Sequence, residues 1–325
     1  MSGSILILIG NYQPGGHGGT APTGGVYVWF KKKKLMKNIE ELSEIVRSIA
    51  WSASDILQSY YSEDSNTPNL DIQEKKDGPV TAADVAVNTH ILNELQSILG
   101  NAEFGYLSEE TYKAYLEKNG QIPLSQSWVW IIDPLDGTRD FIDRTGEFAV
   151  HIALAYQGRP VLAVVAWPEH QKIYYAIKDA GAFVESRDGY TVKLQVSGRN
   201  IVADLSIVTS RSHRDDRFNQ LLHKLPCQNQ LAVGSIGCKI ATIVEQKADV
   251  YIALSGKSAP KDWDLAAPEL ILTEAGGRFT RFDGTALQYN RGDVSQWGGL
   301  LASNGCCHAA LCGESETILA AIDAG

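Results

Sequence analysis

The stretch Trp128-Val129-Trp130-Ile131-Ile132-Asp133-Pro134-Leu135-Asp136-Gly137-Thr138 runs a buried-strand pattern straight into a turn that carries two carboxylates and a hydroxyl. Carboxylates are hard oxygen ligands, and a pair on one turn suits Mg²⁺, which keeps few protein ligands beside phosphate and water. Gly137 lets the backbone approach a bound group, and a helix starting near Thr138 would aim free N–H groups at an anion. Metal carboxylates beside an anion pocket imply phosphoryl chemistry. Asp-Pro and Asp-Gly also form ordinary turns, so the segment alone admits a purely structural reading.

Two further segments bear on that choice. Trp263-Asp264-Leu265-Ala266-Ala267 opens a predicted helix that ends at Gly276-Gly277, with Asp264 in its first turn. Ala266, Ala267, Leu270, Ile271 and Ala275 fall at helical spacing, so one face packs and Asp264 stands on a rigid element. Ser108-Glu109-Glu110 follows the strand-like Phe104 to Leu107. Each acid therefore lies at a strand end or a helix start, where layered α/β architectures present ligands.

In this order the three segments resemble the inositol monophosphatase superfamily of Mg²⁺-dependent, lithium-sensitive phosphomonoesterases. Within it the chain is most similar to the bacterial CysQ-type 3'(2'),5'-bisphosphate nucleotidases. The likeness extends over Pro79 to Asp84, Gly137 to Ile142, Gly146-Glu147-Phe148, Ser210 to His213, and Gly234-Ser235 with Lys239. It covers about Met36 to about Gly305.

The resemblance implies a layered α-β-α-β-α sandwich of the inositol monophosphatase/sugar phosphatase fold, mixing α+β and α/β lobes. It implies two or three Mg²⁺ ions per site. Glu109, Asp133 and the Leu135 carbonyl match the ligands of the first metal, and Asp133, Asp136 and Asp264 those of the second. Two cations about 3.5–4 Å apart clamp the attacking and leaving oxygens of an in-line displacement. Thr138 matches the hydroxyl that orients the attacking water, with Asp84 its acidic partner and Glu109 also facing that water. The N–H groups of Gly137 and Thr138 would hold the phosphate. No side-chain nucleophile is needed, so no phosphoenzyme is expected.

The implied substrate is adenosine 3',5'-bisphosphate, a by-product of sulfate assimilation, converted to AMP and phosphate. Asp140 stands where inositol phosphatases typically carry Asn and CysQ-type enzymes usually Glu. A 5'-phosphate needs basic partners, and Arg211, His213, Lys239 and Lys261 are the candidates, each with a solvated surface charge as its alternative. Trp263 reads either as a wall of the adenine site or as a core indole. Inositol monophosphate or fructose 1,6-bisphosphate is the competing substrate class. A regulator that binds phosphorylated ligands without turnover is the remaining one, marked by loss of a metal acid, and none is missing.

With 38 acids against 29 bases and a net charge of −9, the chain is not built for a nucleic acid polymer. Five cysteines without a secretory signal point to a reducing cytoplasm. Cys306-Cys307-His308 and Cys312 lack zinc-knuckle spacing and read as a packed terminal element. Ser4 to Ile9 is too short to span a membrane.

Residues 1–35 are expected to be a disordered extension, and Met36 is a competing start of the chain. Gly15 to Gly19 lacks the frame of a phosphate loop. Residues 36–203 are expected to form an α+β lobe with an antiparallel sheet and most metal ligands, and 204–325 an α/β lobe supplying Asp264. Ile39, Leu42, Ile45, Val46, Ile49 and Ile56 predict a first helix to about Tyr60, and Val85 to Leu99 a second. Ser62 to Asp71 reads as a mobile loop. Phe148 to Tyr156, Val161 to Trp167, Lys172 to Ile177 and Ala182 to Glu185 predict antiparallel strands. Oligomeric state has no signature in the sequence.

Overall fold

The first described element of the computed structural model is helix α1 (Gly24–Tyr61), whose apolar residues fall at helical spacing from Ile39 onward. The structure describes residues 24–62, 68–75, 78–100, 103–120, 123–211, 214–227 and 229–324. It divides into two units, residues 1–38 and 39–325. In the first, residues from Gly24 are helical, while 1–23 of the expected extension lie outside the described residues. The Ser62 to Asp71 loop is described only at 62 and 68–71.

In the second unit, β1 (Gln73–Lys75) and β2 (Gly78–Val80) pair antiparallel ahead of α2 (Ala82–Leu99). Then come β3 (Phe104–Ser108), α3 (Glu109–Asn119), β4 (Trp128–Asp136) and the short α4 (Thr138–Ile142). β5 (Ala149–Tyr156), β6 (Arg159–Trp167), β7 (Lys172–Ile177), β8 (Gly181–Ser186) and β9 (Thr191–Lys193) complete a seven-stranded sheet in chain order. The meander from β4 onward is antiparallel, as the short turns between its strands predict, whereas β3 lies parallel to β4.

A second sheet follows from β10 (Ser206–Thr209), α5 (Asp216–Lys224), β11 (Asn229–Ala232), α6 (Ile236–Val244) and β12 (Val250–Leu254). α7 (Asp262–Glu274), β13 (Arg278–Arg281), β14 (Gly299–Ser303) and α8 (His308–Asp323) complete the chain. The five strands run in the order β11-β10-β12-β14-β13, with β11, β10 and β12 parallel and β14 antiparallel to β12 and β13.

The strand period of two sorts side chains between layers. Trp130 and Ile132 of β4 pack with α1 and α2, whereas Val129 and Ile131 pack with α6 and α7. Val208 and Tyr251 of the second sheet share that central helical layer, while Ile207, Val250 and Ile252 face α5 and α8. The layers are therefore helix, sheet, helix, sheet, helix, the α-β-α-β-α order expected. Among the described residues no helix is long and apolar enough to cross a membrane, and every described cysteine is a free thiol.

Candidate active site

The parallel pairing of β3 with β4 sets Ser108 level with Ile132, so Glu109 and Asp133 emerge side by side at one sheet end. Ser108, buried, donates to Asn88 Oδ1 at 2.5 Å and ties this end to α2. Beyond Ile132 the ladder is irregular between Asp133 and Asp136, where Pro134 has no N–H to give. Gly137 then turns the chain at φ 91°, ψ 38°, a left-handed conformation that favours glycine, and α4 starts at Thr138. A Cβ on Gly137 would lie 3.0 Å from the Glu147 carbonyl, so the turn is also packed from outside.

α2 and α7 bring two more acids by the same local device. Thr81 caps α2 in a capping box, where Asp84 Oδ2 accepts from Thr81 N at 2.7 Å and Thr81 Oγ1 at 2.6 Å. Asp84 Oδ1 is left to accept from Thr138 Oγ1 at 3.2 Å, and that hydroxyl also lies 3.1 Å from the Leu135 carbonyl. At α7, Asp264 Oδ2 accepts from Lys261 N at 2.8 Å.

These acids do not share one electrostatic fate. Burial, then the charge of Asp264, raises Glu109 well above the ordinary carboxylate range, and Glu110 and Asp84 add to the rise. Burial and the charges of Glu109, Asp136 and Asp264 likewise raise Asp133, against a single 3.0 Å bond from Leu135 N. Burial brings Asp84 and Asp264 to about 6. Burial also opposes the charged form of Asp136, but His151, Lys239 and Ser235 outweigh it and hold that acid at about 2.

The partners of Asp136 come from the start of α6. Ser235 Oγ donates to Asp136 Oδ2 at 2.5 Å and Gly237 N at 3.0 Å. Ser235 adopts φ 24°, where its own Cβ is crowded, and the same Oγ caps α6 by accepting from Cys238 N. Lys239 holds this loop from beneath, donating to the Gly234 carbonyl at 2.6 Å and the Ser235 carbonyl at 3.1 Å, with Nζ 5.5 Å from the Tyr251 ring centre. It is 2% exposed, so its alternative reading as a surface charge is corrected; burial lowers its pKa.

Arg211 is exposed and forked onto Glu147 at 2.8 and 2.6 Å, while Glu147 Oε2 also accepts from Gly234 N at 2.7 Å. Asp140 lies against Gly234, where any Cβ would approach its carboxyl to 2.4 Å. Lys261 Nζ donates to Ser295 Oγ at 2.9 Å. His213 lies outside the described residues. Trp263 is a core indole, 5.4 Å from the Tyr112 ring. Gly237 and His151 contact Asp136 without having been singled out in the sequence, and Ser235 was quoted there only as part of the family likeness; the one available signal for His151 was a lone imidazole in the apolar run from Phe148 to Tyr156.

Glu109, Asp133, Asp136 and Asp264 together with the Leu135 carbonyl make an all-oxygen donor set suited to a hard divalent cation. Among the described residues no three His, Cys, Asp or Glu side chains already close into a metal cage. Asp133 and Asp264 accept from the backbone N–H groups of Leu135 and Lys261. Their unrelieved repulsion and burial fit a site completed by such an ion.

Residues 38–320 match the model of the inositol monophosphatase family. The chain is 35% identical over 248 residues to the 3'(2'),5'-bisphosphate nucleotidase CysQ of Salmonella typhimurium, covering 76% of this chain and 93% of that protein. The Escherichia coli K12 protein of the same name is 32% identical, covering 75% and 92%. Among solved structures, CysQ from Bacteroides thetaiotaomicron superposes with a TM-score of 0.65 at 26% identity, over 81% of this chain and 97% of that one. The suhB protein of Bartonella henselae shares the fold with a TM-score of 0.69 at 24% identity, over 85% and 98%. A matching family model over most of the chain, and relatives matched along nearly their whole length, agree with the sandwich and its acid-lined strand ends: the chain belongs to the inositol monophosphatase family.

Proposed function

We propose that the chain is a metal-dependent 3'(2'),5'-bisphosphate nucleotidase that hydrolyses the 3'-phosphate of adenosine 3',5'-bisphosphate to AMP and phosphate, with Mg²⁺ as its metal. The observation that carries the chemistry is the half-buried cluster of Glu109, Asp133, Asp136 and Asp264 beside the Thr138–Asp84 hydrogen bond. The observation that favours a nucleotide is the 35% identity to a nucleotidase over 93% of that relative.

Glu109, Asp133, the Leu135 carbonyl, Asp136 and Asp264 would hold the metal ions, which neutralise the phosphate and make a bound water acidic. Thr138 donates to Asp84 and keeps lone pairs to accept a hydrogen bond from the attacking water, so the two residues would orient it. Glu109, next after Ser108 at the same sheet end as Asp133, would face that water as well. The N–H groups of Gly137 and Thr138, where the chain turns into α4, would hold the phosphate. Lys239 supports the Gly234–Ser235 loop from beneath. Lys261 and Arg211 remain the basic residues for a second phosphate, with Arg211 first leaving Glu147. The substrate is a small phosphorylated nucleotide rather than a polymer or a lipid.

The enclosure of Lys239 favours a second reading, an inositol or sugar phosphatase, because it leaves fewer cations for a second phosphate. The two separate by phosphate release with Mg²⁺ from adenosine 3',5'-bisphosphate, inositol 1-phosphate and fructose 1,6-bisphosphate, compared as kcat/KM. A preference of about a hundredfold for the nucleotide, ~2.7 kcal/mol, is expected. Equal or better rates on the other two overturn the nucleotidase reading and keep the metal chemistry.

A further inference from the structure

His151 faces the acid cluster and has no role in the reading above. It lies fully buried in β5, directly across the ladder from Asp133. Its Nδ1 is 3.3 Å from the Trp263 carbonyl, which can only accept, so this nitrogen carries a proton. Its Nε2 lies 3.2 Å from Asp136 Oδ2, within ion-pair range, and has no hydrogen-bond partner. The ring cannot swing away, because Gly237 covers it: a Cβ there would lie 2.3 Å from Nε2 and 2.8 Å from Val165 Cγ1. The imidazole thus spans from the end of β4 to the residue before Asp264, joining two acids that reach the site on different elements.

Asp136 Oδ2 meets three groups at once, Ser235 Oγ, Gly237 N and His151 Nε2. That leaves Oδ1 as the oxygen for a cation. A carboxylate held through one oxygen does not rotate, and its ligating oxygen arrives already oriented.

We propose that His151 is a positioning residue for metal binding, fixing the rotation of Asp136 and, through the Trp263 carbonyl, its distance from Asp264. The inference rests on the metal reading given under Proposed function. The bland alternative is a core histidine whose removal weakens the fold and leaves metal affinity alone.

Calorimetric titration of the full chain with Mn²⁺, without substrate, separates the two, alongside melting in EDTA. His151→Phe keeps the ring volume and removes both nitrogens, and should weaken Mn²⁺ binding by roughly tenfold or more. His151→Gln retains one donor and should lose less. In both, the metal concentration for half-maximal rate should rise more than kcat falls. Mn²⁺ affinity of the Phe variant within about threefold of wild type, whatever its melting temperature, overturns the proposal.

Should that variant not fold, Mg²⁺ titration of wild-type protein labelled with [¹⁵N]histidine decides. The His151 Nε2 resonance, assigned by its loss in the Gln variant, should move over the Mg²⁺ range that activates the enzyme. A resonance that stays still overturns the proposal. Absence of any Mn²⁺ binding to wild type defeats the metal reading itself, and the inference with it.

Discussion

Asp133 and Asp136 close the same strand, and burial opposes the charged form of both. Asp136 is nevertheless held at about 2, because an imidazole, an ammonium, a hydroxyl and a backbone N–H surround it. Asp133 has one N–H and three acids for neighbours, and it is driven upward. Burial therefore does not decide the state of a carboxylate here; the supply of donors does. The chain supplies several donors to one acid and a single N–H to the other.

Substitution tests that contrast most directly. Asp133→Asn and Asp136→Asn should each cut kcat/KM on the order of a thousandfold. Their stabilities in EDTA should part. Asp136→Asn weakens the acceptor shared by Ser235 Oγ, Gly237 N and His151 and should cost about 1–3 kcal/mol by urea unfolding, whereas Asp133→Asn relieves repulsion and should unfold at equal or higher urea. Equal destabilisation by the two variants would break the comparison.

Between pH 5 and pH 7, cation and proton should both relieve the repulsion among the uncompensated acids. Mg²⁺ at a hundred times its Kd should stabilise wild type by about 2.7 kcal/mol, and Asp133→Asn by far less. Without metal, Asp84 and Asp264 titrate at about 6 when folded, above the ordinary value of 3.8. They bind protons more tightly folded than unfolded, so their contribution is full below 3.8 and is lost as pH rises through about 6. The melting temperature in EDTA should accordingly rise from pH 7 to pH 5, and saturating Mg²⁺ should flatten that slope. Asp136 has the opposite sign, since its contribution is present above 3.8 and is lost as pH falls through about 2, outside the window. A melting temperature in EDTA that falls steadily from pH 7 to pH 5 would contradict the uncompensated cluster.

The smallest effect should come from the exposed rim. Arg211→Ala removes a solvent-facing ion pair with Glu147 and should change stability by less than about 1 kcal/mol. If Arg211 swings to a second phosphate, KM for the bisphosphate should rise while kcat holds, and an unchanged KM would confine it to Glu147.

Much of this was legible in the sequence because it is local. The apolar run into Asp133, the antiparallel strands after Phe148 and the helix carrying Asp264 announce themselves by period and turn chemistry. Thr81-Ala82-Ala83-Asp84 even has the spacing of a capping box. The parallel pairing of β3 with β4 was not legible, since a strand's period says nothing of its neighbour. Nor was the support of Asp136, because Ser235, Gly237 and His151 converge only once α6 packs on the first sheet. Nor was the enclosure of Lys239, as a lysine ordinarily belongs to the surface.

That lysine also has a use at the bench. With its ammonium enclosed and bonded to two carbonyls, Lys239 should resist acylating reagents that mark the exposed lysines within minutes. Its slow labelling would then time the opening of the first turn of α6, giving peptide mass spectrometry a clock for local unfolding at the active site.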